Sequence, residues 1–77
     1  MIQPDEIRLR ILKTMPDAAI EVRDMTGTLD HYEVKVVAKA FEGRTQIERH
    51  RMVYVAVQDV LGGALHALSL KTLAPGE

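Results

Sequence analysis

Apolar residues in this chain switch between two spacings, and the order of the switches restricts the folds it can adopt. Ile7, Ile11 and Met15 recur at helical intervals with Leu12 beside them, as one stripe of an amphipathic helix requires. Pro4, Asp5 and Glu6 come just before; proline suits a first helical position, and acids complement the positive end of the helix dipole. Pro16 stops the pattern, so a helix is expected over residues 4–15. Ala19–Asp24 then alternates, with Ile20 and Val22 on one side and Glu21 and Arg23 on the other. After a turn-like stretch around Thr26-Gly27-Thr28, residues 32–39 alternate again: Tyr32, Val34, Val36 and Ala38 against Glu33, Lys35, Val37 and Lys39. So short a connection makes an antiparallel hairpin the natural pairing.

Helical spacing returns after the Phe41-Glu42-Gly43-Arg44 loop. Thr45-Gln46-Ile47-Glu48 has the form of a capping box. Ile47, Tyr54, Val57 and Leu61 then share one helical face, broadened by Met52, Val53 and Val60, and Gly62-Gly63 is expected to end the helix. A third strand is expected over Leu65–Thr72, with His66, Leu68 and Leu70 on one side. The predicted order is αββαβ: an α+β fold in a single domain over residues 1–77, with a three-stranded mixed sheet and both helices on one face. The last strand follows a helical crossover, which predicts parallel pairing with a hairpin strand through a right-handed connection.

The chain has no cysteine to brace so small a domain, so it must fold on its apolar core, and 47% hydrophobic residues suffice for that. The same lack fits a reducing compartment. A net charge of −1 and a pI near 6.3 create no global attraction to nucleic acid or anionic lipid. No apolar run approaches the roughly 20 residues that span a bilayer, and the acidic start lacks the basic and apolar regions of a signal peptide. A soluble, cytoplasmic protein without membrane attachment is expected.

Three segments carry a resemblance. Phe41-Glu42-Gly43 followed by Glu48-Arg49-His50-Arg51-Met52-Val53-Tyr54 resembles the central F-x-G…R-H-R-x-V-Y signature of the BolA-like family. Leu65-His66-Ala67-Leu68-Ser69-Leu70-Lys71-Thr72 resembles its terminal I-H-A-L-S-x-K-T block, and Asp30-His31-Tyr32 resembles the loop-ending S-H-F of members with histidine there. The similarity runs from about residue 5 to residue 75. It implies a fold similar to the KH type of nucleic-acid module. It also implies an adaptor that pairs with a monothiol glutaredoxin and shares a glutathione-supported [2Fe–2S] cluster, with none expected in the isolated chain. His66 is the implied ligand and His31 a second candidate. Regulation of transcription through DNA is the alternative that the resemblance implies. A monomer or weak homodimer is expected for the chain alone.

Each of these residues also has a plainer reading. His66 opens an apolar strand, where a histidine is commonly a satisfied core or edge residue; neutral imidazole is nevertheless a borderline ligand suited to iron, and histidine in place of cysteine raises a cluster's potential. His31 is either a solvated loop histidine bonded to Asp30 or a ligand that Asp30 orients. The Arg49-His50-Arg51 run reads as a solvated helix face or as a contact for phosphate or carboxylate, with partial burial against the sheet expected for His50. Lys71 joins Lys35, Lys39, Arg44, Arg49 and Arg51 as a candidate basic strip for nucleic acid. Against such binding stand three aromatic residues, too few for stacking platforms, and the absence of a G-x-x-G loop. No cysteine nucleophile, G-x-S-x-G, P-loop or H-E-x-x-H is present, so a binding module is expected rather than an enzyme.

Overall fold

Pro4–Thr14 forms the first helix, α1, and its opening turn follows the local chemistry. The Gln3 amide donates to the Glu6 carboxylate at 2.9 Å, and Pro4 occupies a position where a missing N–H costs nothing. Ile7 and Ile11 are fully buried, with Met15 closing the same stripe. The structure, a computed structural model, describes residues 2–27, 31–65 and 67–77.

Two strands follow, β1 over Ala19–Asp24 and β2 over His31–Val37, paired antiparallel from Ala19↔Val37 to Asp24↔Tyr32. The Met25 amide adds one more rung by donating to the His31 carbonyl at 2.8 Å. Asp24 then accepts from the amides of Thr26 and Gly27, a side-chain turn that lets Gly27 enter the left-handed region at φ 77°. β2 begins one residue before the predicted strand and ends two before it. Ala38 stays extended, but Lys39–Phe41 winds into a 3₁₀ turn that buries Phe41.

The second helix, α2, runs over Gln46–Ala56 behind the predicted capping box. The Glu48 amide donates to the Thr45 hydroxyl at 3.2 Å, while the Thr45 amide donates to the Glu48 carboxylate at 2.9 Å. The helix stops well short of Gly62. Around its end i+3 bonds enter, as in Gln58 N–H to Val55 O at 3.4 Å and Val60 N–H to Val57 O at 3.0 Å, and mix with longer ones, so the chain leaves regular α geometry. Gly62, at φ 89°, donates to the Leu65 carbonyl and closes this turn.

The buried face of α2 also differs from the expected one. Arg49, Val53 and Val57 point inward, with Met52, Ala56 and Val60 packed beside them. Ile47, Tyr54 and Leu61 lie outside, and Ile47 is 73% exposed. Apolar residues surround this helix, so spacing alone does not select a face; the branched and small side chains Val53, Ala56 and Val57 fit closest to the sheet.

The third strand, β3, spans Ala67–Leu73, starting two residues later than predicted because Leu65 is drawn into the core. It pairs parallel with β2 from His31↔Ala67 to Val37↔Leu73, giving the order β1-β2-β3. Tyr32, Val34 and Val36 are buried, and Ile20, Val22, Leu68 and Leu70 pack beside them on the helix-covered face. The opposite face carries His31, Glu33 and Lys35, with Glu21 and Arg23 on one side and Ala67, Ser69 and Lys71 on the other. The α+β architecture with a mixed three-stranded sheet is as the sequence predicts.

Candidate metal-binding and partner-contact residues

Parallel pairing brings the starts of β2 and β3 to one end of the sheet. His31 opens β2 with an exposed side chain and is registered with Ala67. Ala67 follows His66 in the chain; His66 itself lies outside the described residues, as does Asp30. Next to this point, Tyr32 is buried and its hydroxyl donates to the Ile2 carbonyl at 2.5 Å, which fixes the start of β2 against the entry to α1. On the other strand, fully buried Leu65 anchors the approach to β3. Both strand starts are thus held by core side chains. Among the described residues, no three or more His, Cys, Asp or Glu side chains converge on a common point.

Arg49 has a different role from the partner contact expected of it. Its side chain is buried, with Nη1 and Nη2 donating to Oε1 and Oε2 of Glu77 at 2.6 and 2.9 Å. Nε donates to the Arg44 carbonyl at 3.0 Å, and the guanidinium lies 6.0 Å from the centre of the Phe41 ring. Glu77 accepts in addition from the Ala74 amide at 3.0 Å. The Arg49 hydrogen bonds, with that amide second, hold the Glu77 carboxyl well below the usual range, at about 2. Glu77 in turn raises Arg49. Buried, and with each of its three nitrogens donating inside the chain, Arg49 is turned away from an external phosphate. Sequence reading missed Glu77 because no local spacing links it to Arg49.

His50 and Arg51 face outward on α2. His50 is half-buried beside Ile47, Arg51, Tyr54 and Leu61, against the outer side of the helix rather than the sheet. Lys71 sits on the open sheet face, in register with Lys35 and, across β2, with Glu21. The expected basic strip is therefore divided. Lys35 and Lys71 share the open sheet face, Arg44 precedes α2, Arg51 lies on its outer side, and Arg49 is internal. No helix among the described residues is long and apolar enough to cross a membrane.

Comparison with known proteins places this arrangement among described folds. A family profile described as "BolA-like protein" matches residues 5–77. The protein RP812 of Rickettsia prowazekii is 30% identical over 73 residues, covering 95% of each chain. Human BolA-like protein 1 is 31% identical over 78 residues, covering 92% of this chain but 57% of its own length. The chain thus spans little more than half of some curated relatives. The solved structure of BolA1 from Arabidopsis thaliana superposes with a TM-score of 0.86 at 30% identity, covering 99% of this chain and 98% of that one.

Proposed function

This chain belongs to the BolA-like family, and from that premise we propose that it is an adaptor that pairs with a monothiol glutaredoxin and lends histidine to a shared, labile [2Fe–2S] cluster. The observation that carries the reading is the parallel register of β2 and β3. It sets His31 beside Ala67, the chain neighbour of His66; by the alternation His66 shares the parity of Leu68 and not that of His31, so His66 carries the reading and His31 is secondary to it.

The chemistry of the donor set supports it. Imidazole binds iron less tightly than thiolate and raises a cluster's potential. A chain that offers histidine and no cysteine therefore suits a cluster that is passed on rather than kept. The remaining ligands would be a glutaredoxin thiolate and the thiolate of glutathione. His66 is the principal ligand in this reading, and His31 is a second ligand or a hydrogen-bonding neighbour. The protein's own contribution is positioning: two strands held in register above a buried core. It acts as a binding module and not as an enzyme.

The test is to combine the chain with a monothiol glutaredoxin, glutathione, iron and sulfide, and to record visible absorption and circular dichroism. The expected result is a spectrum distinct from that of glutaredoxin alone, lost in His66→Ala and altered in His31→Ala if His31 is a ligand. A spectrum unchanged by adding this chain overturns the reading. DNA regulation then becomes the account to pursue, through salt-titrated binding to duplex DNA.

A further inference from the structure

The outer side of α2 carries a groove that cluster chemistry does not use. Ile47, Tyr54, Val55 and Leu61 line it, with His50, Arg51 and Gln58 among them. Ile47 is 73% exposed and Val55 54%, while Val53 on the same helix and Val57 just beyond it fill the core. A second groove, between α2 and the end of α1, is lined by Met15, Met52, Arg44 and Glu48 and shares Arg51 and Val55 with the first. Apolar surface therefore continues around the helix, with Arg51 where the two grooves meet.

Arg51 gives this surface its sign. Arg8, Arg10, Arg44 and Arg49 are each held by a carboxylate of the chain, namely Asp5, Asp59, Glu48 and Glu77. Arg51 has no such partner among the described residues, and no carboxylate lines the outer groove. The surface is apolar and cationic at once.

We propose that this side of α2 is a docking surface for a partner-protein segment that carries aliphatic or aromatic side chains and an Asp or Glu directed at Arg51. The apolar side chains of that segment cover Ile47, Val55 and Leu61, as an amphipathic segment does in a groove. Its carboxylate meets the guanidinium through charge-assisted hydrogen bonds. Charge decides against the other occupants. A second copy of this chain would bring two Arg51 guanidinium groups together in an outer groove lined by no carboxylate. A nucleic acid would find one unpaired arginine among side chains that its phosphates cannot use, whereas phosphate binding rests on several cations together. The proposal stands on α2 alone and does not depend on the cluster reading.

The experiment pans the full chain against a display library of random peptides, in parallel with an Ile47→Ser/Val55→Ser variant. Both positions are exposed, so the variant keeps its fold, which circular dichroism verifies. Peptides enriched on the wild type over the variant are expected to combine Leu, Ile or Phe with Asp or Glu. Binding of a selected peptide should fall roughly three- to fivefold in Arg51→Ala. Arg51→Glu should bind the peptide's acid-to-lysine counterpart in preference. Equal enrichment on wild type and variant, or enrichment of basic peptides, overturns the proposal. So does self-association abolished by the same variant, which would assign the face to a second copy, or duplex DNA binding lost in Arg51→Ala.

Discussion

The guanidinium of Arg49 and the carboxylate of Glu77 meet along two parallel contacts, Nη1 to Oε1 at 2.6 Å and Nη2 to Oε2 at 2.9 Å. The pair ties the first turn of α2 to the segment that follows β3, above the ring of Phe41. A planar fork makes this geometry, and an ammonium cannot. Arg49→Lys is therefore expected to lower the melting temperature although it keeps the charge. Arg49→Ala should lower it further, because it strands both the Glu77 carboxylate and the Arg44 carbonyl. Thermal melts followed by far-UV circular dichroism check this, and an unchanged melting temperature in Arg49→Ala would refute the structural role.

The same pair sets an acid dependence. The carboxyl of Glu77 is depressed from 4.5 to about 2 by Arg49 and the Ala74 amide. A depressed acid stabilises the fold above its unfolded value, and that stability is lost as pH falls toward the folded value. Glu48, depressed by the Thr45 amide and hydroxyl and by Arg44, acts in the same direction. Melting temperature should thus decline between pH 4.5 and about 2, and less steeply in Glu77→Gln. Parallel slopes for the two proteins would contradict the assignment.

The two sides of α2 predict opposite responses to truncation. Val53 is fully buried, so Val53→Ala should cost about 2 kcal/mol through lost apolar burial and the cavity left behind. Ile47→Ala removes more carbon from a side chain that is 73% exposed, and should stay within about 0.5 kcal/mol. Urea unfolding of both variants decides it. The reverse order would restore the face that spacing alone predicts.

Thr45 carries the start of α2. Its hydroxyl accepts from the Glu48 amide at 3.2 Å. Thr45→Ala should cost about 1 kcal/mol, and Thr45→Asp should recover most of it. Equal stability of wild type and Thr45→Ala in urea would show that water replaces the cap without loss.

Local signals defined most of these elements. Pro4 and the acids after it mark α1, alternation marks β1 to its observed bounds, and Thr45 with Glu48 marks α2. The helical crossover predicts a parallel closing strand, but only packing chooses β2 as its neighbour. What stayed hidden depended on distant partners. Arg49 reads as a solvent-facing cation until Glu77, 28 positions away, is seen to satisfy it. Arg49 is buried on the inner side of α2, while Ile47 and Tyr54 lie outside. Of the histidines singled out by resemblance, His31 opens β2 one residue ahead of the predicted strand, while His66 lies outside the described residues.

The parallel pairing of β2 with β3 also dictates an order of assembly. The β1–β2 hairpin closes over a short loop, so its contacts can form early and at little entropic cost. β2 gains its second neighbour only after the chain has traversed all of α2 and returned to its starting end. Until then the central strand presents a bare edge flanked by Val34 and Val36. Nascent chains halted before β3 are the species that chaperones should meet, and the slowest folding step should be the docking of α2 and β3 together.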